Sequence, residues 1–422
     1  MYKNVTLKNG LRIYSNDIPD RESVSLGFWV GVGGRYEGDK IKGAAHFLEH
    51  VVFKGSAKYA CEEIKEKIEG VGGALNAFTS EEQTCYYAKI PAKHLEQTFD
   101  VLSDMVFFPK LNQADIAKES TVIIEEIKMY KDLPQYCVME ILEDLLWPGH
   151  PLGKSLTGTV ESVAAMTSAD LRSFHSDFYH PQNIVISVCG KLNDTDFFQM
   201  AQKKLNNVQS SKHVDFLKVN SHQSQPRFKF FKKDIEQMHV ALGTIGFDEN
   251  HKDRYALSLL GVILGGNMSS RLFVEVREKQ GLAYSISSGM KTLHDTGQFL
   301  IRAGVDNKKI IQATGLILKE LQKLKEKGVE QGEFTRAKDY LLGQMLIGLE
   351  DTMEHMLWIG ESVISKNELR TVQDVVNDYN KISIDDIVRV ANEILANDRL
   401  NLAIVGPIDP KQEKELRGLL NL

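Results

Sequence analysis

The stretch "GAAHFLEHVVFKGS", from Gly43 to Ser56, places two histidines and a glutamate within five positions of an apolar segment. On an α-helix, residues four apart differ by about 40° around the axis, so His46 and His50 project from one face on successive turns. Two imidazoles in this arrangement can bind one zinc ion through ring nitrogens. Glu49 lies beside them, where it can reach a metal-bound water without being a ligand. HxxEH is the inverted counterpart of the HExxH zinc motif, so the stretch predicts a metal-binding helix.

The chain contains 12 histidines, and the competing interpretation is a pair of core histidines beside a surface glutamate. A catalytic zinc site ordinarily has three protein ligands, so a third must come from elsewhere in the chain. The stretch "DIAKESTVIIEEIKMYKDLP" (115–134) offers Glu119 and Glu126, which are seven apart and share a helix face. Glu125 points about 100° away from Glu126. On pattern alone, an ordinary charged helix is the favoured interpretation of this stretch.

The chain also repeats its own pattern. "EEIKEKIEGVGGALNAFTS" begins at Glu62, and "SRLFVEVREKQGLAYSISS" begins 208 positions later at Ser270. Both read as a helix, a glycine turn and a strand. A second pair of helix–strand segments ends at Gly190 and at Gly406, 216 positions apart. The repeats predict an α+β fold of two homologous halves, each a mostly antiparallel sheet covered by helices on one face.

The domain boundaries follow from the repeats and from one polar segment. We expect an N-terminal metal-binding catalytic domain at 1–209, a linker at 210–225, and a C-terminal homologous domain at 226–422. The linker assignment rests on the polar stretch around 209–228, which has no helical stripe of apolar residues.

Composition excludes several classes of protein. The formal net charge is −6 and no lysine/arginine block stands out, so we expect no nucleic-acid partner. No apolar run approaches the length of a bilayer span, so we expect no membrane span. The N-terminus reads as strand, turn and strand rather than as a signal or transit peptide. We therefore expect a cytoplasmic protein of bacterial type, or a mitochondrial matrix protein if a transit peptide has been removed. The cysteines are far apart, which argues against a cysteine zinc site or a disulfide framework: Cys61, Cys85, Cys137 and Cys189.

The motif "HFLEH", followed 76 residues later by Glu126, resembles the pitrilysin/insulysin family of zinc peptidases. Within that family it is most similar to the short-chain branch of the mitochondrial processing peptidase β-subunit and its bacterial relatives. The blocks "GVGGRYEG", "GGALNAFTSEEQTCYY", "ESTVIIEEIKMYKDLP" and "HPLGKSLTGT" extend the resemblance over nearly the whole chain. The resemblance implies that His46, His50 and Glu126 bind one Zn²⁺ per chain and that Glu49 is the general base. Glu119 is then an acidic residue beside the site rather than a ligand.

The second half has lost the metal motif. At the 208-residue offset, Arg254, Leu257 and Ser258 occupy the positions of the two histidines and the base. The same half contains "VREKQGLAYS", with Arg277 and Tyr284 seven apart. The resemblance implies that this pair binds the substrate and stabilises the transition state. Without the family resemblance, a surface arginine and a packed tyrosine would be the simpler interpretation of these two residues.

The strand "ALNAFTS" is the other expected substrate element. The resemblance implies that Asn76 and Ala77 bind an extended peptide along the strand edge, a mode that gives affinity with little sequence preference. A half-buried strand is the alternative, and both can hold. Together these expectations describe a zinc endopeptidase that hydrolyses peptides or unfolded precursor segments in extended form.

Three alternatives stay open from the sequence. The chain could be a non-catalytic structural or peptide-holding subunit, like the core subunits of the respiratory bc1 complex. Manganese or cobalt could replace zinc with the same ligands. We expect a homodimer, and a heterodimer with an α-type subunit is the alternative.

Overall fold

A computed structural model gives the structure of the chain and describes residues 2–211, 214–220 and 222–420. Contacts group the chain into two compact units, each assembled from three segments. The first unit comprises Met1–Lys128, Ser155–Leu217 and Leu346–Leu369, and the second comprises Met129–Lys154, Lys218–Met345 and Arg370–Leu422. The domain boundaries expected from the sequence remain a prediction. Residues 212, 213 and 221 of the expected linker lie outside the described residues, and the rest of 210–225 contains neither helix nor strand.

The strands form one sheet in each unit. They are β1 Lys3–Thr6, β2 Arg12–Asp17, β3 Ser23–Val30, β4 Ala74–Thr79, β5 Thr84–Pro91, β6 Ile184–Gly190, β7 Arg227–Lys232, β8 Gln237–Ile245, β9 Ala283–Thr292, β10 Gly297–Asp306 and β11 Asn401–Gly406. The first sheet has the order β1-β2-β6-β3-β5-β4 and the second β7-β11-β8-β10-β9. Only the pairs β2–β6 and β7–β11 are parallel, so both sheets are mostly antiparallel, as predicted.

The helix predicted after Ser270 is π-helical over Phe273–Lys279, and the described residues form fifteen α-helices. They are α1 Ala44–Val52, α2 Cys61–Ile68, α3 Leu95–Phe107, α4 Gln113–Asp132, α5 Pro134–Leu146, α6 Val160–Ala165, α7 Ser168–Phe178, α8 Asp194–Leu205, α9 Arg254–Gly265, α10 Ile310–Lys327, α11 Gln331–Gly348, α12 Thr352–Lys366, α13 Val372–Lys381, α14 Ile384–Ile394 and α15 Pro410–Leu419. The predicted α+β class with two homologous halves is confirmed. Among the described residues, no helix combines the length and apolar character needed to cross a membrane.

In the first unit, both faces of the central strands are buried. Strand β3 has seven consecutive buried residues from Val24 to Val30, and every residue of β6 is buried. Helices α1 and α3 contribute to the core on one face. Helix α12, which comes from the other end of the sequence, packs against β3 and β6 on the opposite face. A central strand covered on both sides loses the apolar–polar alternation of a half-exposed strand.

Close packing of α12 depends on a glycine. A Cβ placed on Gly360 would lie 1.8 Å from Nε1 of Trp29. That indole is 1% exposed and donates to Oγ of Ser187 at 2.9 Å. The helix therefore approaches the sheet at a distance that only a residue without a side chain allows.

The second unit has the same arrangement. Helices α9, α10 and α14 pack together over one face of its sheet. Helix α5 packs against β8 and β11 on the other face, where Leu142 contacts Gly243. Each sheet therefore carries one helix from a distant part of the chain in addition to the predicted helical layer.

Candidate metal centre

The helix that carries the HxxEH motif is fixed at its N-terminus by a buried carboxylate. Helix α1 has no side-chain cap of its own, and its first N–H groups would otherwise lack acceptors. Glu37 accepts from the backbone N–H of Gly43 at 2.9 Å and from that of Ala45 at 2.7 Å. Lys42 lies 3.1 Å from the same carboxylate. Gly43 has φ = 95°, and a Cβ there would lie 2.7 Å from the carbonyl oxygen of Thr157. This turn sets the direction in which α1 enters the core.

His46, His50 and Glu126 are brought together by α1 and α4. Oε2 of Glu126 lies 3.7 Å from Nε2 of His46 and 3.5 Å from Nε2 of His50. All three candidate ligand atoms lie within 4.8 Å of one another. Ligand atoms about 2.0–2.1 Å from a tetrahedral zinc are roughly 3.3 Å apart, so two imidazoles and one carboxylate fit such an ion in both spacing and chemistry. In the part of the chain that the structure describes, no second group of this kind occurs.

The pKa values of the two histidines are shifted in opposite directions. Burial and, to a lesser degree, the nearby His50 lower the pKa of His46 to about 4. Burial also lowers the pKa of His50, but hydrogen bonding to Glu126 and Glu119 and the charge of Glu126 outweigh it, so the net shift is upward. A carboxylate-rich cluster therefore favours a positive charge at this point. A metal ion would meet that preference when the imidazoles are neutral.

Glu119 lies beside the candidate ligands and contacts one of them. Its Oε2 is 3.3 Å from Nδ1 of His50, and its Oε1 accepts from Nζ of Lys54 at 2.6 Å. Metal-binding histidines commonly direct their second ring nitrogen at such a carboxylate, which fixes the ring and its tautomer. Among the described residues, Nδ1 of His46 is buried without a hydrogen-bond partner. Sequence reasoning missed Lys54, although it lies only four residues after His50, in the turn that follows α1.

Glu49 points to the end of strand β4. Its Oε2 accepts from Oγ1 of Thr79 at 2.6 Å. Burial raises the pKa of Glu49, and the Thr79 hydrogen bond partly opposes that shift. A raised pKa brings a carboxylate closer to the range in which it exchanges protons near neutral pH. Thr79 was also missed, although it belongs to the quoted strand "ALNAFTS".

The expected substrate strand lies at a sheet edge. Among the described strands, β4 is the last of its sheet and pairs with β5 alone. Asn76 and Ala77 lie in its middle, and Oδ1 of Asn76 accepts from the N–H of Ala77 at 2.9 Å. The outer edge of β4 is thus not paired with another strand of its sheet, as binding of an extended peptide would require.

Arg277 and Tyr284 lie close to each other in the second unit. Arg277 belongs to a π-helical segment, Phe273–Lys279, a rare geometry that is frequent at functional sites. The Arg277 guanidinium carbon is 5.8 Å from the Tyr284 ring centroid and 4.6 Å from that of Phe273. Tyr284 is 73% exposed. The pair therefore presents a cation and a phenol at the surface of this unit.

Comparisons with known proteins identify the class to which this fold and cluster belong. Residues 12–160 match the family described as Insulinase (Peptidase family M16), and residues 165–341 match the Peptidase M16 inactive domain. The chain belongs to peptidase family M16, in its short two-domain form, which confirms the resemblance seen in the sequence.

Individual relatives agree with this assignment over their full lengths. The chain is 34% identical to the uncharacterized zinc protease YmxG of Bacillus subtilis, covering 96% of this chain and 98% of that protein. It is 33% identical to the uncharacterized zinc protease ML0855 of Mycobacterium leprae, covering 99% and 94%. The crystal structure of a protease from Helicobacter pylori superposes with a TM-score of 0.91 at 25% identity, covering 96% of this chain and 99% of that chain.

Proposed function

We propose that this chain is a zinc-dependent endopeptidase that cleaves peptides or unfolded precursor segments bound in extended form. The observation that carries the proposal is the convergence of His46, His50 and Glu126, with Glu49 one residue before His50 on the same helix. The zinc protease names of relatives that match nearly the whole chain support it.

The proposed ligands are Nε2 of His46, Nε2 of His50 and a carboxylate oxygen of Glu126, which would hold one zinc ion per chain. When bound, the ion would supply a Lewis acid for the scissile carbonyl and lower the pKa of a water molecule. Manganese or cobalt would suit the same ligand set.

Glu49 accepts the proton of the attacking water and later delivers it to the leaving amide nitrogen. Such general acid–base transfer contributes about 10²- to 10⁴-fold to the rate. Thr79 holds the Glu49 carboxylate in one orientation through its 2.6 Å hydrogen bond. Glu119 acts on His50 rather than on the substrate, because its two oxygens are directed at His50 and at Lys54.

The substrate is held by main-chain pairing at the edge of β4, along Asn76 and Ala77. Arg277 and Tyr284 bind the substrate and stabilise the charge that develops in the transition state. We infer a homodimer, with a heterodimer containing an α-type subunit as the alternative, and a cytoplasmic location in keeping with the bacterial relatives.

The proposal is tested by replacing Glu49 with Gln, which keeps the size of the side chain and removes the base. With a quenched peptide, kcat/KM is expected to fall by about 10²-fold or more, while the zinc content stays near one per chain. Glu125→Gln on the exposed side of α4 is the matched control and is expected to leave both unchanged. Equal turnover by wild type and Glu49→Gln would refute the assigned base. Peptide binding without turnover in the zinc-loaded wild type would favour the non-catalytic subunit instead.

A further inference from the structure

The second unit contains a cavity at the place where its sequence has lost the metal motif. The cavity has a volume of about 290 Å³ and is lined by the first turn of α9, the end of α13 and the start of α14. Helix α9 is the counterpart of α1 at the 208-residue offset, so Arg254 stands where His46 stands in the first unit. Ser258, at the position of His50, accepts from the Tyr379 hydroxyl at 3.2 Å. The two histidine positions are thus occupied by an arginine and a serine with hydrogen-bond partners of their own, and neither is a zinc ligand.

Hydrogen-bond donors converge on one wall of the cavity. The Tyr255 hydroxyl oxygen accepts from NH2 of Arg254 and from NH1 of Arg370, each at 3.2 Å. Among the described residues, the hydrogen of this hydroxyl has no acceptor. NH1 of Arg254 donates to the carbonyl oxygen of His251 at 3.1 Å, and Arg370 also pairs with Asp378. Two guanidinium groups and a phenol therefore meet at one point with hydrogens still available.

The carboxylates that line the cavity already have cationic partners. Asp253 accepts from Arg389 at 2.8 and 2.7 Å, and Asp386 accepts from the same guanidinium at 3.0 Å. Asp378 accepts from Nζ of Lys381 at 2.9 Å. These pairs leave no lining carboxylate free to neutralise a further cation.

Two lining cations have no such partner. In the described part of the chain, neither Lys252 nor Arg254 forms an ion pair with a carboxylate. Among the described residues, the wall therefore carries two positive charges without a direct ion-pair partner. A phosphate group near pH 7 carries a charge of about −1.5 to −2 and three strong acceptor oxygens. Arginine is well suited to it because its planar donors match phosphate oxygens in pairs.

We propose that this cavity binds a small phosphate-bearing molecule through its phosphate group, with Arg254, Arg370 and Tyr255 as donors. The site is independent of the candidate metal centre in composition, since none of its residues belongs to the zinc motif. In this view the second half has exchanged a metal-binding position for an anion-binding one.

The test is isothermal titration calorimetry of the full-length, zinc-loaded protein with inorganic phosphate as the probe and acetate as the comparison anion. We expect saturable phosphate binding that Arg254→Met weakens by about tenfold or more, as expected for loss of a charged hydrogen bond. Arg302→Met, which removes an exposed arginine from β10, is the matched control and is expected to bind like wild type.

A second variant guards against misfolding. Tyr255→Phe removes only the hydroxyl and keeps the ring, and it is expected to weaken phosphate binding with an unchanged far-ultraviolet circular dichroism spectrum. The proposal is overturned if the wild type shows no saturable phosphate binding, if acetate binds as tightly as phosphate, or if Arg254→Met binds like wild type. Peptidase activity does not enter these measurements, so their outcome is separate from that of the proposed function.

Discussion

Nδ1 of His50 lies 3.3 Å from Oε2 of Glu119, while Nε2 of the same ring lies 3.5 Å from Oε2 of Glu126. One imidazole is thus held between two carboxylates from the same helix, seven residues apart. Glu126 is on the side of His46, and Glu119 is on the side of Lys54. This arrangement separates the proposed ligand from the acidic residue that orients the ring, a distinction that the seven-residue spacing alone leaves open.

Lys54 is expected to support metal binding through Glu119. Replacing Lys54 with Met keeps the approximate length of the side chain but removes the 2.6 Å ion pair. The Glu119 carboxylate can then turn away from His50. Loss of such an outer partner typically lowers metal affinity by about 10- to 100-fold. Zinc affinity measured by competition with a chromogenic chelator checks this. Lys58→Met, on the same stretch but paired with Asp100, is the control. An unchanged zinc affinity in Lys54→Met would show that Glu119 needs no such support.

Thr79 is expected to set the acid limb of the pH–activity profile. Its hydroxyl donates to the ionised form of Glu49 and so lowers a pKa that burial raises. Thr79→Val removes the donor, so the Glu49 pKa rises further and the acid limb moves to higher pH. Activity is lost as pH falls through that pKa, because the protonated carboxyl cannot act as a base.

The measurement is kcat/KM against pH for zinc-loaded wild type and Thr79→Val, with Thr121→Val on α4 as the control. A limb that stays in place or moves to lower pH would contradict the role of Thr79. The comparison is between two proteins with the same metal, so any common effect of zinc on Glu49 cancels.

Gly360→Ala is expected to destabilise the first unit. The new Cβ would meet the Trp29 indole, which cannot move without losing its hydrogen bond to Ser187. Overpacking of this kind costs about 1–3 kcal/mol, and it should appear as a lower urea midpoint followed by tryptophan fluorescence. Gly315→Ala in α10 is the matched control and is expected to raise the urea midpoint. Nothing lies within 4 Å of its added Cβ, and alanine favours helix over glycine. A urea midpoint of Gly360→Ala equal to or above that of the wild type would contradict the close approach of α12 to Trp29.

Arg277 and Tyr284 are expected to affect catalysis without affecting zinc. Arg277→Met and Tyr284→Phe should each lower kcat/KM for a quenched peptide, because each removes a hydrogen-bond donor proposed to contact the substrate. Zinc content and thermal stability should stay at the wild-type level, since Tyr284 is largely exposed. Arg302→Met serves as the control. Wild-type kinetics in both variants would leave the pair without a catalytic role.

The features of this protein that could be predicted from the sequence are those that depend on short, periodic patterns of residues. The HxxEH spacing predicted that His46 and His50 share one helix face. The internal repeat predicted two similar α+β halves. Family resemblance was needed to choose Glu126 over Glu119, because both lie on the same face of α4. In the structure, Glu126 lies near Nε2 of both histidines, whereas Glu119 lies near Nδ1 of His50 and pairs with Lys54.

Features that depend on tertiary pairing were not visible in the sequence. The hydrogen bond from Thr79 to Glu49 joins residues 30 positions apart, and the placement of α12 on β3 joins opposite ends of the chain. Strand β3 is buried without a break from Val24 to Val30 because it is covered on both faces, and its own residues do not specify which helix covers it. The secondary-structure propensity of a segment does not indicate which distant segment it will contact.

The most direct test of the account is the metal content of Glu126→Gln compared with Glu125→Gln. Both variants replace a carboxylate with an amide on adjacent positions of α4, but only Glu126 lies within 4 Å of the two histidine nitrogens. We expect plasma mass spectrometry to find about one zinc per chain in wild type and Glu125→Gln, and much less in Glu126→Gln after dialysis against a weak chelator. Equal zinc in the two variants, or none in the wild type, would contradict the proposed metal centre.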